Sequence, residues 1–75
     1  MNELAKEIEL NAKAEAQAVY DYTELLGKIA ESGLNENEKS GITDIINEII
    51  ADELNHQNRL QEVYTYLTGI EPNKN

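Results

Sequence analysis

The sequence predicts an all-α fold, an antiparallel hairpin of two long helices. Two observations predict it: apolar residues recur at steps of three and four, the period of one helix face, and helix-stop signals follow each apolar stripe. A chain of 75 residues makes one small domain, residues 1–75. The two stripes are Leu4, Ile8, Val19, Tyr22, Leu26 and Ile29, then Ile42, Ile46, Ile49, Leu60, Val63 and Leu67.

The first helix is expected over about residues 2–32, a segment rich in Ala, Glu, Leu and Lys, which are strong helix formers. Gly33 is predicted to take the left-handed conformation just past the helix, with Leu34 supplying the apolar contact of a Schellman motif. The turn is expected over residues 33–35. A connection this short makes the two helices antiparallel neighbours.

The second helix is expected over about residues 36–68. Asn35 and Glu38 have the spacing of a capping box, in which each side chain accepts a hydrogen bond from the backbone of the other residue. Gly41 should weaken the early turns by up to about 1 kcal/mol. Residues 69–75 are predicted to be a frayed tail. A second stop signal opens that tail, made of Gly69, Ile70 and Pro72.

Composition and charge exclude several classes of function. The net charge of −9, with 15 acidic and 6 basic residues, argues against nucleic-acid binding, which needs a basic surface. No apolar run reaches the roughly 18 residues of a membrane span, and the acidic amino terminus does not resemble a signal peptide, so a cytoplasmic location is expected. Chains this short often need additional stabilisation, and without cysteine that leaves a partner subunit, a metal held by other ligands, or both.

Three ionisable residues interrupt the apolar stripes: Glu15, Glu53 and His56. Glu53 and His56 occupy the two positions that are missing between Ile49 and Leu60, and Glu15 fills the central gap of the first stripe. Unpaired charge in a helical core costs several kcal/mol. A metal ion is one of the few partners that would make such a cluster favourable.

The register of the hairpin brings these residues to one level. With the turn centred near Leu34, Glu15 faces Glu53 and Ala12 faces His56. One hairpin then supplies two carboxylates and one imidazole, too few for a closed site. A two-fold dimer forms an antiparallel four-helix bundle and doubles the set, which is enough for two metal ions. Carboxylate and imidazole ligands without thiolate suit Fe, Mn or Zn.

Each of these residues has an alternative interpretation. Glu15 can lie at the edge of the stripe with its carboxylate in water, Glu53 and His56 can form an intrahelical pair, and polar core residues can set the register of a coiled-coil dimer. Tyr22 can hydrogen-bond a ligand carboxylate or be an ordinary interface aromatic. Asp52 can accept the free ring N–H of His56 or be a surface acid. The rival function is a metal-free acidic helical hairpin that binds another protein through its apolar face.

Residues 15–22 (EAQAVYDY) and residues 51–56 (ADELNH) resemble the ferritin-like superfamily, on its rubrerythrin side. They match a glutamate followed by a tyrosine on the first helix and Glu-x-x-His on the second. In plan the chain is most similar to the encapsulated ferritins, whose two-helix subunits dimerise into a ferritin-like four-helix bundle with the site between them.

This resemblance implies a di-iron site held by Glu15, Glu53 and His56, and a ferroxidase, an oxidoreductase that oxidises Fe(II) with O2 or peroxide. It also implies a homodimer or a higher homo-oligomer, and it adds the interior of an encapsulin compartment shell as an alternative location. A manganese-dependent or peroxide-scavenging relative with the same ligands is a third reading.

Overall fold

The computed structural model describes residues 3–69, which form two α-helices and a tight connection. Helix α1 spans Glu3–Ala30 and helix α2 spans Glu36–Thr68; no strand occurs within the described range. The helices, 28 and 33 residues long, lie antiparallel and form a rod of 50 × 20 × 17 Å. The predicted helical hairpin is confirmed.

The start of α2 is fixed by the predicted capping box. The side-chain oxygen of Asn35 accepts the N–H of Glu38 at 2.9 Å, and the Glu38 carboxylate accepts the N–H of Asn35 at 3.1 Å. Two of the N–H groups that a helix start leaves unpaired are thereby satisfied. The carboxylate of Glu38 also lies at the positive end of the helix dipole.

The end of α1 differs from the prediction. The helix ends at Ala30, before the expected residue 32, and Gly33 does not have the positive φ that a Schellman motif requires. Polar side chains take the last carbonyls instead. The Ser32 hydroxyl donates to the oxygen of Ile29 at 2.7 Å, and the Lys39 ammonium donates to the oxygen of Ala30 at 2.9 Å. With these carbonyls paired, a left-handed glycine is unnecessary.

The end of α2 follows the predicted stop signal. Gly69 has φ 72 and its N–H donates to the oxygen of Thr65 at 2.8 Å, which is the left-handed cap that glycine adopts without steric strain. The other two residues of that signal, Ile70 and Pro72, lie outside the described residues, as does the predicted helical start at residue 2.

Two helices alone bury few side chains. Among residues 3–69, Ala5 and Ile46 are the buried ones, at 0% and 6% exposure, and the rest of the two stripes is half-buried or exposed. No helix in the described part of the chain is long and apolar enough to cross a bilayer. The large apolar side chains left exposed are Leu4, Leu10, Tyr20, Leu25, Ile45, Leu54, Val63 and Tyr66.

Candidate metal centre

The three ionisable residues of the apolar stripes lie near the middle of both helices. Glu53 comes seven residues after the buried Ile46, two full helical turns, so both side chains face α1. His56 follows Glu53 by three residues on a continuous helix, which makes the two side chains neighbours. Glu15 faces them from the centre of α1.

The antiparallel packing brings these three side chains into contact. Nδ1 of His56 lies 3.3 Å from Oε2 of Glu15 and 3.9 Å from Oε1 of Glu53. One ligand atom from each residue lies within 4.8 Å of the others. Two ligands about 2.1 Å from one ion can be no more than about 4.2 Å apart, so small side-chain rotations would suffice to hold a metal.

The Glu15 and Glu53 carboxyl groups interact directly across the helix interface. A hydrogen bond between them lowers the pKa of Glu15 and raises the pKa of Glu53. Burial and the negative charge of Glu15 raise the Glu53 pKa further, and the nearby imidazole of His56 lowers the Glu15 pKa. Glu53 therefore retains a proton more readily than Glu15, as expected for two carboxyl groups sharing one site.

The cluster opens to one side of the hairpin. The side chain of His56 is 55% exposed, whereas those of Glu15 and Glu53 are 26% and 20% exposed. The carboxylates thus lie between the helices and the imidazole lies at their edge. In a single hairpin the cluster is therefore accessible to an ion from solvent, and a second molecule could approach the same edge.

The sequence suggests two neighbours, Asp52 and Tyr22, that could support the metal ligands. Asp52 is exposed and makes no hydrogen bond with His56; within residues 3–69 the imidazole contacts Glu15 and Glu53 instead. In the hairpin Asp52 thus has the position of a surface acid, the alternative given above. The charge of Asp52 contributes to the raised pKa of Glu53. Tyr22 is half-buried one heptad after Glu15, on the same side of α1.

A second feature, an open groove, was not predicted from the sequence. It has a volume of about 240 Å³ and begins one helical turn from the cluster. Its polar lining residues lie outside the apolar stripes, so a search for interruptions of those stripes passes over them. The lining residues are Ile8, Glu9, Ala12, Leu60, Gln61 and Tyr64.

Two carboxylates and one imidazole form a donor set that suits Fe, Mn or Zn, and three ligands leave coordination positions for further donors. Comparison with known proteins identifies no relative: no family model matches the chain, and neither a curated protein nor a solved structure matches it.

Proposed function

We propose that this chain is a di-iron ferroxidase-type protein, which oxidises Fe(II) with O2 or peroxide at a metal site shared between two copies. The single observation that supports it best is the meeting of Glu15, Glu53 and His56, whose ligand atoms lie within 4.8 Å of one another. These residues come from two helices and interrupt otherwise apolar stripes, where ionisable groups are unfavourable without a partner.

The proposed assembly is a homodimer, with higher homo-oligomers built from it. One hairpin leaves its metal ligands at an open edge, with His56 more than half exposed, and leaves several large apolar side chains exposed as well. Monomeric proteins rarely expose a large contiguous apolar surface. Two hairpins around a two-fold axis near the cluster form a ferritin-like four-helix bundle with four Glu and two His.

The proposed chemistry is the transfer of one electron from each of two Fe(II) ions to O2, which takes up two protons and leaves as hydrogen peroxide. Two ions about 3.5–4 Å apart can supply both electrons together. The Glu15 and Glu53 carboxylates would balance the positive charge of the ions, and the imidazole of His56 would contribute a neutral ligand. Because ligands bind deprotonated, iron binding would compete with protonation of Glu53, whose pKa is raised.

The test is Fe(II) oxidation by protein that is loaded anaerobically and then exposed to air. We expect faster formation of Fe(III), followed by absorbance, than in buffer alone. Glu15→Ala should abolish the acceleration because α1 contributes no other carboxylate to the cluster. Glu24→Ala is the matched control: Glu24 is exposed and lies nine residues further along α1, on the opposite side at about 100° per residue.

The outcome of this pair separates the proposal from its alternatives. Equal loss of the oxidation rate in Glu15→Ala and Glu24→Ala would assign the effect to overall acidity. Equal retention, together with protein purified without metal, would favour the metal-free interaction module, which the exposed apolar side chains also support. Native metal content separates iron from manganese or zinc.

A single dimer has no cavity for mineral. If the oxidised iron is stored, storage requires either a higher assembly or a surrounding compartment shell. We propose a cytoplasmic location for the protein. The alternative location is the interior of an encapsulin compartment, which would supply such a shell.

A further inference from the structure

We propose that the open groove between α1 and α2 is an intramolecular docking site for the chain segment that follows Gly69, residues 70–75 with the sequence IEPNKN. That segment lies outside the described residues. The proposal is supported by the size of the groove, by uneven exposure at the end of α2, and by the reach and chemistry of the segment. It goes beyond the proposed function, because it requires neither a metal ion nor an oxidation step.

The groove opens on the side of the hairpin away from the exposed edge of the metal centre. Gln61, which lines the groove, lies about 140° around α2 from His56 at 100° per residue. Most of the lining is apolar and includes Ile8, Ala12 and Leu60. The volume of about 240 Å³ is below the roughly 300–1,000 Å³ of pockets that hold drug-sized ligands. A groove of this size and lining suits a few side chains of a peptide segment.

Exposure is uneven at the end of α2. Thr65 and Tyr66 point away from α1, about 140° and 120° around the helix from Leu60 in opposite directions. Tyr66 is 89% exposed, whereas Thr65 is half-buried, and its hydroxyl oxygen is shielded from solvent without a hydrogen-bond partner among residues 3–69. Thr65 lies on the same side of α2 as Gln61. Because α1 packs on the opposite face, a segment other than α1 covers the groove side of this helix end.

The chain that leaves α2 is close enough to cover Thr65 and to enter the groove. Gly69 has φ 72, the left-handed cap that turns a chain back toward the last turn of its helix. Gln61 lies eight residues before Gly69, about 12 Å along the helix at 1.5 Å per residue. An extended chain spans about 3.3 Å per residue, so residues 70–74 cover about 17 Å. The segment therefore reaches the whole length of the groove.

The apolar part of the segment meets the aromatic part of the groove. In an extended chain, Pro72 comes about 10 Å beyond Gly69, between the levels of Tyr64 and Gln61, and both of these residues line the groove. Extended segments that contain proline dock in grooves lined by aromatic side chains. A backbone carbonyl of the segment, passing the last turn of α2, would supply the acceptor that the Thr65 hydroxyl lacks.

Charge favours the same placement. Lys74 comes about 17 Å beyond Gly69 in an extended chain, close to Glu9, which also lines the groove. The Glu9 carboxylate is exposed and forms no ion pair within residues 3–69. An ion pair between Lys74 and Glu9 would therefore fix the direction of the segment, although exposed ion pairs add little to stability.

Tethering favours this segment over a second copy or another protein. A segment joined to the end of α2 by a few residues has an effective concentration in the millimolar range at the groove. A separate partner at micromolar concentration would need roughly a thousandfold higher affinity to occupy the groove equally. The committed occupant is therefore the chain's own segment.

The test is disulfide trapping, for which the chain is suited because it has no cysteine of its own. Gln61→Cys with Asn73→Cys places one thiol in the groove and the other in the segment. Glu62→Cys with Asn73→Cys is the matched control, because Glu62 is exposed and lies about 100° further around α2. The two disulfides close loops that differ by one residue, which changes the closure entropy negligibly.

Oxidation of the full chain in a glutathione buffer at low protein concentration measures the effective concentration of each thiol pair, and circular dichroism checks that each variant is helical. We expect the groove pair to exceed the control pair about tenfold or more. Equal effective concentrations would overturn the proposal. Disulfide-linked dimers in place of the intramolecular bond would assign the groove to the segment of a second copy and would also overturn it.

A second comparison tests the ion pair. In the Gln61→Cys, Asn73→Cys background, Glu9→Gln should lower the effective concentration about two- to fivefold, the range for an exposed ion pair. Glu7→Gln removes the same charge from an exposed position on the other side of α1 and should leave it unchanged. Equal effects would overturn the pairing of Lys74 with Glu9 and the direction of the segment. If Gln61→Cys does not fold, Glu9→Cys and Glu7→Cys, each with Asn73→Cys, give the same comparison on α1.

Discussion

Nδ1 of His56 on α2 lies 3.3 Å from Oε2 of Glu15 on α1, although 41 positions separate the two residues in the chain. This contact is shorter than the 3.9 Å between His56 and Glu53 on its own helix. The hairpin therefore does more than present an intrahelical Glu-x-x-His pair. It adds a second carboxylate from the opposite helix and makes a three-residue cluster that could hold a metal ion.

Metal should stabilise the folded protein. An ion that binds only the folded state raises the melting temperature, by roughly 10–20 °C when the free metal is about 100 times its Kd for a domain of this size. His56→Ala should remove most of that rise because it deletes one of the three proposed ligands. Differential scanning calorimetry with and without Zn²⁺ measures it, and an unchanged wild-type melting curve would contradict the metal centre.

The stability of the metal-free protein should depend on pH through Glu53. The pKa of Glu53 is raised in the folded state, so the folded protein binds a proton there more tightly than the unfolded chain does. This advantage is lost as the pH rises from about 4.3, the ordinary glutamate pKa, through the pKa of Glu53 in the folded state. The free energy of unfolding therefore falls over this pH range. The pKa of Glu15 is lowered, so its contribution is lost as pH falls below the ordinary value.

Urea unfolding of chelator-treated protein at a series of pH values measures this dependence of the unfolding free energy on pH. Glu53→Gln should flatten the fall in stability above the ordinary carboxyl pKa, and Glu48→Gln, at an exposed position on the same helix, should not. Metal affinity should change in the opposite sense and increase with pH, since bound metal requires deprotonated ligands. If the free energy of unfolding of the wild-type protein instead rises between the ordinary carboxyl pKa and the raised pKa of Glu53, Glu15 and Glu53 do not share a proton.

Gly41 inside α2 and Gly69 just after it should respond oppositely to alanine. Gly41 lies inside the helix, and an added Cβ would meet no atom within 4 Å, so Gly41→Ala should stabilise the protein by about 0.5–1 kcal/mol. Gly69 has φ 72, where alanine is strained, so Gly69→Ala should destabilise it by about 1 kcal/mol. Chemical unfolding measures both; a stabilising Gly69→Ala would contradict the left-handed cap.

The capping box should contribute measurably to stability. Asn35→Ala removes the acceptor for the N–H of Glu38 and should cost about 1 kcal/mol. Asn37→Ala is the matched control because Asn37 is an exposed asparagine of the same first turn and is not the N-cap. The difference between the two unfolding free energies isolates the cap. Equal effects would mean that helix propensity, not the Asn35 hydrogen bond, explains the loss.

The sequence by itself determined the hairpin, the start and end of α2, and the residues that interrupt the stripes. These features depend on local physics: the period of apolar residues, the hydrogen bonds between Asn35 and Glu38, and the left-handed conformation open to Gly69. Such features can be predicted from the sequence because the residues that form them lie close together in the chain.

Only the tertiary structure decided which residues that are distant in the sequence contact one another, and how these contacts shift their pKa values. The Schellman motif predicted at Gly33 is absent, and one of the last carbonyls of α1, that of Ala30, accepts instead from Lys39, nine positions further on and on the other helix. The acceptor for His56 is Glu15 across the interface, with Asp52 on the same helix left exposed. The proton preference within the carboxyl pair likewise comes from a hydrogen bond between helices. Such contacts depend on side-chain geometry at the helix interface, which sequence periodicity does not specify.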